Sequence, residues 1–323
     1  MKLVIAHRSG EPRVIDVPEP RGGRNFVTVR VSHAGMALPG ELELIAQARL
    51  RTRKGDDGIP LGGHASGVVL DVGAGVKGVK EGIRVAVTGS RYVYHAGQVV
   101  VPEESVVELP KKVNHEEGAF VGMGASALNL VRAAHVQLGE VVLVIGADLR
   151  GLIVAQLVRA AGAIPVLVDE SDFRLAKVHP LGITNTFAPD DEELVRALDV
   201  LTNGLGADCA LITRAKDGAG IEMAMNLLRH RGTLVLGEFV GAKADIDILR
   251  EKAITLTSAE GGGVAGSRWT ERENMTCFCN LLADRKIQIS PLITDRVPLE
   301  RAPTIYEKAQ RNRDAVVACV LTV

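Results

Sequence analysis

Residues 141–169 read VVLVIGADLRGLIVAQLVRAAGAIPVLVD, and this stretch decides the fold. Its apolar run 141–145 is followed by the turn 146–151, an apolar helical segment, a second apolar run and Asp169. This order of strand, glycine-containing turn, helix, strand and acid is typical of a dinucleotide-binding βαβ unit. We therefore predict two parallel strands joined by a helix over residues 152–161.

The turn departs at one position from the G-x-G-x-x-G fingerprint. Gly146 supplies the first glycine, for the tight turn, and Gly151 supplies the third, for close packing of helix on strand. Asp148 stands where the second glycine lets the backbone approach the pyrophosphate. Two like unit charges about 4 Å apart repel by roughly 4 kcal/mol at an effective dielectric of about 20. We expect Arg150 to cover the carboxylate or the phosphate and offset much of this repulsion, so that a dinucleotide still binds; the alternative is an altered or lost site.

Asp169 ends the second strand, where an acid accepts hydrogen bonds from the ribose hydroxyls and repels a 2′-phosphate. The sequence therefore predicts NAD as the cofactor. Arg214 and Gly237 follow later strands and would lie at the ligand-binding edge of the sheet, although Arg214, like Arg174, is open to interpretation as a solvated charge. The candidate cofactor-binding residues are Gly146, Asp148, Leu149, Arg150, Gly151, Asp169, Arg174, Arg214 and Gly237.

Composition excludes several classes of protein. The formal net charge of −1 gives no electrostatic reason to bind nucleic acid. No uncharged apolar run reaches the roughly 18 residues of a membrane span, and the apolar start of the chain is too short for a signal peptide. The four cysteines are too scattered for a disulfide framework. We therefore expect a cytoplasmic protein with no membrane or nucleic-acid partner.

The pattern along the chain changes from β-rich to alternating. Short alternating runs such as 26–31 and glycine-rich turns predict a mostly β domain over residues 1–118. Helix and strand then alternate, which predicts a doubly wound parallel Rossmann domain over residues 119–286. Short strands return over residues 287–323, a segment expected to rejoin the first domain. The fold class is α/β, with further Rossmann strands predicted at 209–213, 233–236 and 254–257.

Several motifs, in order, resemble those of the medium-chain dehydrogenase/reductase family. GGHASGVV at 62–69 and VGAGV at 72–76 are similar to the family's G-H-E-x-x-G-x-V and V-G-x-G-V segments, and EGIRVAV at 81–87 is similar to its G-D-R-V strand. The resemblance extends over nearly the whole chain. It implies a GroES-like N-terminal domain and a small-molecule substrate bound in a cleft between two domains. It also implies a homodimer, or a tetramer, formed through the Rossmann edge strand at 254–258.

Zinc-dependent members of that family hold the metal with an early cysteine, the histidine of G-H-E and a later cysteine or acid. Here the early slot reads Met36-Ala37-Leu38, Ala65 replaces the glutamate of G-H-E, and the region of Gly122 offers no ligand. Catalytic zinc needs three protein ligands, and His64 alone cannot hold it. We predict no metal site.

Without a metal, another group must move the hydroxyl proton or stabilise the alkoxide. The resemblance favours His64, whose matched position faces the nicotinamide; the alternative is a histidine that caps a turn. Tyr94 and His95 are further catalytic candidates in a segment predicted to be strand-like, where wall packing is the competing interpretation. Tyr92, His33 and Glu41 are weaker candidates.

The leading hypothesis is a zinc-independent, NAD-dependent oxidoreductase that transfers hydride between nicotinamide and a small polar alcohol or ketone, including sugar derivatives. Asp148 and the missing zinc ligands support a second hypothesis, in which the fold has lost dehydrogenase chemistry and serves as a binding or partner subunit. A zinc-free reductase of enones or quinones is a third, against which Asp169 argues because that branch resembles NADPH users.

Overall fold

The computed structural model describes residues 1–51, 57–213, 219–237 and 244–323. It divides into two compact units. The first comprises Met1–Met123, Glu271–Arg285 and Ile289–Val323, and the second comprises Gly124–Thr270 and Lys286–Gln288. Among the described residues, no helix is both long and apolar enough to cross a membrane.

The elements are numbered along the chain. The N-terminal elements are β1 (Lys2–His7), β2 (Pro12–Asp16), β3 (Phe26–Gly35), α1 (Leu38–Arg51), β4 (Gly58–Pro60), β5 (His64–Val72), β6 (Arg84–Thr88), β7 (Gln98–Pro102), β8 (Val106–Glu108), α2 (His115–Gly118) and α3 (Val121–Ala133). The middle elements are β9 (Val141–Ile145), α4 (Leu149–Ala160), β10 (Ile164–Val168), α5 (Asp172–Leu175), β11 (Thr186–Phe187), α6 (Glu192–Thr202), β12 (Ala207–Ile212), α7 (Ala219–Leu227), β13 (Leu228–Leu236), α8 (Ile246–Glu251) and β14 (Thr255–Ser258). The C-terminal elements are α9 (Glu271–Ala283), β15 (Ile293–Pro298), α10 (Ala302–Arg311) and β16 (Ala318–Thr322).

The first unit is mostly β, as its alternating runs predict. One sheet has the order β2-β1-β4, and the other has the order β15-β16-β3-β5-β6-β8, with β7 also paired to β3. The inward side chains of these strands form one apolar core with helices α1 and α10. Strand β16 runs antiparallel to β3, with Leu321 opposite Ala34, which brings the C-terminal segment into this unit.

The second unit contains a parallel sheet of order β11-β10-β9-β12-β13-β14. The predicted α/β fold class, with a doubly wound parallel sheet and a mostly β N-terminal region, is confirmed. Chain order reverses between β9 and β12, so the switch point of the sheet lies at the carboxyl ends of these two strands. Helix α4 begins at Leu149, earlier than the predicted start at 152, because Asp148 caps it.

Helix α9 belongs to the first unit, which differs from the predicted domain limits of 119 and 286. The helix contacts β8 and buries Met275, Phe278 and Leu282. This apolar side is the one that the spacing of the sequence indicates. The pattern showed which side of the helix is buried, but it carried no information about which unit would cover it.

Candidate functional site

The turn after β9 has the geometry that the two fingerprint glycines require. Gly146 has φ of 100°, in the region that favours glycine. A side-chain carbon at Gly151 would lie 1.8 Å from the carbonyl oxygen of Gly146 and 3.1 Å from Oγ1 of Thr213. Only glycine allows α4 to pack this closely on the ends of β9 and β12. The turn and the helix packing of the βαβ unit are therefore built as the sequence suggests.

Asp148 caps helix α4. Its backbone is extended, with φ of −65° and ψ of 176°, and its carboxylate accepts a hydrogen bond of 3.0 Å from the backbone N–H of Gly151. A helix N-terminus attracts anions, and it is where the pyrophosphate of a dinucleotide binds in this kind of unit. The Asp148 carboxylate therefore occupies part of the anion-binding end of the helix. Leu149, the first helical residue, is buried.

Asp169, directly after β10, accepts hydrogen bonds both from the fingerprint turn and from the segment that follows β10. Its Oδ2 accepts a 2.6 Å hydrogen bond from the N–H of Ala147 in the fingerprint turn. Its Oδ1 accepts hydrogen bonds of 2.9 Å from the N–H of Ser171 and from Nε of Arg174. Arg174 is thus an ion-pair partner of Asp169, and its interpretation as a purely solvated charge is wrong.

Arg150 is directed away from the position expected for it. Its Nη2 donates to the carbonyl oxygen of Thr213, at the end of β12, and its Nη1 lies 3.5 Å from Oγ of Ser126. A side-chain carbon at Gly237, at the end of β13, would lie 3.1 Å from Nη2. The expectation that Arg150 covers the Asp148 carboxylate is therefore wrong in this structure. The guanidinium instead binds at the carboxyl end of β12, across the switch point from β10. Arg214 lies outside the described residues.

His64 begins β5 and is held by a polar neighbour. Its Nδ1 lies 3.1 Å from Oγ1 of Thr88, the residue opposite it in β6. A side-chain carbon at Gly122 would lie 2.6 Å from the same Nδ1. Burial is the main reason that the pKa of His64 falls from 6.5 to about 4. His64 is therefore uncharged at neutral pH and is poorly matched to act as a general base there, since that role needs a pKa near the working pH.

His95 is part of a buried polar network with Glu41 and Tyr306. Oε1 of Glu41 accepts a 3.0 Å hydrogen bond from Nε2 of His95, and Oε2 accepts a 2.7 Å bond from the Tyr306 hydroxyl. Burial acts to raise the pKa of Glu41, but the attraction of His95 and the hydrogen bonds from His95, Tyr306 and the backbone N–H of Ala37 outweigh it, so this pKa lies below its usual value. All three side chains are buried, and the network connects α1, α10 and the segment before β7.

The remaining catalytic candidates, Tyr92, Tyr94 and His33, have separate partners in the structure. Residues 91 and 92 form a turn and residues 93–95 are irregular rather than the predicted strand, since β7 begins only at Gln98. The hydroxyl of Tyr94 donates to the carbonyl oxygen of Arg91 at 2.6 Å, and Tyr92 packs edge-on against Phe26. His33 stacks on His115, with ring centroids 6.2 Å apart.

Comparisons with known proteins agree with this architecture. Residues 151–284 match the family model described as zinc-binding dehydrogenase. Sorbitol dehydrogenase of Gallus gallus is 27% identical, over 96% of this chain and 93% of that protein. These comparisons support the zinc-binding dehydrogenase family. They agree with the medium-chain dehydrogenase/reductase family that the motifs resemble, and the named dehydrogenase relatives support an oxidoreductase.

Solved dehydrogenase structures share the fold over the whole length of this chain. The galactitol-1-phosphate dehydrogenase of Escherichia coli has a TM-score of 0.85 and 21% identity, with 100% of both chains covered. An alcohol dehydrogenase from Thermus sp. ATN1 gives the same TM-score of 0.85 with 22% identity, again over 100% of both chains.

The zinc of the zinc-binding dehydrogenases does not fit the residues of this chain. Within the residues that the structure describes, no group of three or more His, Cys, Asp or Glu side chains is arranged to hold a metal ion. Ala37 and Ala65 present no ligand atoms, and the contact of His64 with Thr88 leaves no room for a side chain at Gly122.

Sequence reasoning did not identify Tyr306, Thr88, Thr213 and Ser126 as partners of the candidate residues. Tyr306 lies in an amphipathic helix, where an aromatic residue suggests only core packing. A single sequence carried no signal that its hydroxyl would meet Glu41, because α1 and α10 are far apart in the chain. The sequence placed Thr213 at the carboxyl end of a predicted strand, but it did not indicate that the Thr213 carbonyl oxygen would accept a hydrogen bond from Arg150.

Proposed function

We propose that this dehydrogenase is a zinc-independent, NAD-dependent oxidoreductase that acts on a small polar alcohol or ketone. The observation that carries the proposal is the cradle of Gly146, Gly151 and Asp169, with the Asp169 carboxylate bonded to the N–H of Ala147 in the turn. The bound dinucleotide supplies a hydride acceptor or donor. The chain's own residues bind it, orient it and hold the substrate's hydroxyl or carbonyl oxygen.

The preference for NAD over NADP rests on Asp169 and is moderated by Arg174. A carboxylate at the end of β10 repels a 2′-phosphate. The guanidinium of Arg174 is bonded to that carboxylate, which reduces the repulsion and brings a phosphate-binding group to the same place. We therefore propose that the ratio of the affinities for NAD and NADP is smaller than an aspartate without an arginine partner would give. Arg174→Ala is expected to increase this ratio.

The substrate class follows from the relatives rather than from the geometry. Sorbitol dehydrogenase and galactitol-1-phosphate dehydrogenase are named for polyols, and we propose a polyol or a related sugar derivative for this chain. His64 is proposed to act as an uncharged hydrogen-bonding group toward the reacting oxygen, in keeping with its lowered pKa. Ala37 in the slot of the early cysteine and Ala65 in that of the glutamate of G-H-E support zinc independence.

One titration tests the proposal. Metal-analysed protein is titrated with NADH and with NADPH in a calorimeter, and the loaded protein is then offered polyols and ketoses. NADH binding at micromolar concentration, weaker NADPH binding, turnover of a polyol and no stoichiometric zinc are expected. Turnover that requires added zinc contradicts the zinc-independent part, and no binding of either dinucleotide at millimolar concentration contradicts the proposal as a whole.

A second candidate function is a dehydrogenase fold that has lost its chemistry and acts as a partner subunit. The specific observation that favours it is the Asp148 carboxylate at the N-terminus of α4. The same titration separates the two candidates. Restoration of NADH binding in Asp148→Ser, where the natural protein binds none, would identify Asp148 as the group that closed the site.

We further propose a homodimer formed through β14, in a cytoplasmic protein. In the described part of the sheet, β14 pairs with β13 on one side only, and Leu256 is 41% exposed. An edge strand with unpaired N–H and C=O groups is stabilised by a second copy. Light scattering is expected to give twice the chain mass, and a lower mass in Leu256→Arg; a monomeric natural protein contradicts this.

A further inference from the structure

Arg150 is a cation held at the carboxyl ends of β12 and β13. Its guanidinium donates to the carbonyl oxygen of Thr213 and approaches Oγ of Ser126. Gly237 leaves the space that its Nη2 occupies, since a side-chain carbon there would lie 3.1 Å away. Arginine stays charged at any accessible pH. The charge is therefore a permanent feature of this edge of the sheet.

The position of Asp169 shows which half of a dinucleotide would meet this charge. In a doubly wound sheet, the two nucleotide halves bind on the two sides of the switch point, outside the carboxyl ends of the strands. Asp169 directly follows β10 and marks the adenosine half. Strands β12 and β13 lie on the other side of β9, and they would face the nicotinamide half. The Arg150 guanidinium lies at the ends of these two strands.

We propose that Arg150 makes the site distinguish the redox state of the dinucleotide and hold NADH more tightly than NAD⁺. This inference rests on the dinucleotide binding proposed above. The oxidised nicotinamide ring carries a positive charge and the reduced ring is neutral, while the rest of the two molecules is the same. A nearby cation therefore weakens binding of NAD⁺ and leaves binding of the NADH ring almost unchanged. Such a site retains the reduced dinucleotide and releases the oxidised one, which suits carbonyl reduction.

A different role for Arg150 is a contact to the pyrophosphate. That role would strengthen binding of every ligand that carries the two phosphates, whatever its ring. ADP-ribose has the phosphates and the adenosine but no nicotinamide, and it therefore measures the phosphate contribution alone. The ratio of the NAD⁺ and NADH dissociation constants measures the contribution of the ring charge.

The experiment is calorimetric titration of the full-length protein with NADH, NAD⁺ and ADP-ribose. Arg150→Met removes the charge at similar length, and Arg150→Lys keeps it. Arg196→Met is the matched control, because Arg196 is 66% exposed on α6 and pairs only locally, with Glu193 and Glu192 among the described residues. Urea midpoints verify that each variant is folded.

In Arg150→Met, the ratio of the NAD⁺ to the NADH dissociation constant is expected to fall about tenfold, which corresponds to about 1.4 kcal/mol. The ratio stays within about twofold in Arg150→Lys and Arg196→Met, and the affinity for ADP-ribose changes little. An unchanged ratio in Arg150→Met overturns the inference, and so does an equal weakening of all three ligands. Either result leaves the proposed function standing, whereas failure of the natural protein to bind any of the three overturns both.

Discussion

Replacing Asp148 by serine is expected to tighten NADH binding about tenfold at little cost in stability. The Asp148 carboxylate accepts the 3.0 Å bond from the N–H of Gly151 and so places a negative charge in the first turn of α4. A charge about 5 Å from a phosphate at an effective dielectric of about 20 is repelled by about 3 kcal/mol. Asp148 is half-buried, and solvent screening reduces this to roughly 1–2 kcal/mol. Serine keeps the cap but removes the charge.

Two further variants separate the cap from the charge. Asp148→Ala is expected to tighten binding as much as serine does, but to lose about 1 kcal/mol of stability with the cap. Asp148→Gly also removes the side-chain carbon, and any gain beyond serine measures the steric barrier to the pyrophosphate. Calorimetry gives the dissociation constants, and urea unfolding followed by the fluorescence of Trp269, the single tryptophan, gives the stabilities.

The ionic strength supplies an internal check. The advantage of Asp148→Ser should shrink as salt is raised, because screening weakens the repulsion that the variant removes. Equal affinity of the natural protein and Asp148→Ser for NADH at low salt would refute the electrostatic reasoning. Unchanged stability in Asp148→Ala would refute the capping role.

Three further outcomes concern stability, each measured by urea unfolding. Gly151→Ala should lose more than about 2 kcal/mol because its new carbon would lie 1.8 Å from the Gly146 oxygen, whereas Gly40→Ala, with open space in α1, should be neutral or stabilising; equal effects contradict the packing argument. Glu41→Gln should lose about 1–3 kcal/mol of stability, because the amide group turns an N–H donor toward either His95 or Tyr306, which both donate to the carboxylate. Tyr306→Phe should lose less stability. Unchanged stability in Glu41→Gln contradicts the network. The pKa of His64 is lowered from 6.5 to about 4. Above pH 6.5 the imidazole is uncharged in both the folded and the unfolded chain, and no stability is lost. As the pH falls from 6.5 through about 4, the unfolded chain binds the proton first, and the folded protein loses stability. This loss is about 3 kcal/mol, and His64→Gln should flatten the profile over that interval; an unchanged slope contradicts the assignment.

The fold was predictable because its signals are local. The buried strand at 141–145, the glycines of the turn and the acid at 169 are all within one supersecondary unit, and the structure has β9 at the residues that the apolar run indicates. Strand β10 likewise ends directly before Asp169. Periodicity and turn chemistry act over a few residues, and they could be read without knowledge of the tertiary contacts.

The site was less predictable because its decisive contacts are between distant residues. Arg150 is two residues from Asp148, which suggested that they interact, yet its guanidinium binds Thr213, 63 residues away in the chain. His95 was assigned to a strand face, but its imidazole is fixed by Glu41, 54 residues earlier. Side-chain direction at a turn depends on which neighbours the sheet brings to its edge, and one sequence does not contain that information.

The changes around the lost zinc ligands form a consistent set rather than scattered losses. A cysteine or an acid left alone in a buried metal site would be an unpaired charge or an unsatisfied polar group, which costs several kcal/mol. Here Ala37 stands in the slot of the early cysteine and Ala65 in that of the glutamate of G-H-E, and burial holds His64 uncharged beside Thr88. The Glu41 carboxylate is bonded to His95 and Tyr306. These contacts give the Glu41 carboxylate and one ring nitrogen each of His64 and His95 a partner without a metal ion, which agrees with the zinc-independent function proposed above. Whether that function is catalysis then depends on the dinucleotide site, and the variants of Asp148 and Arg150 test the two charges that control it.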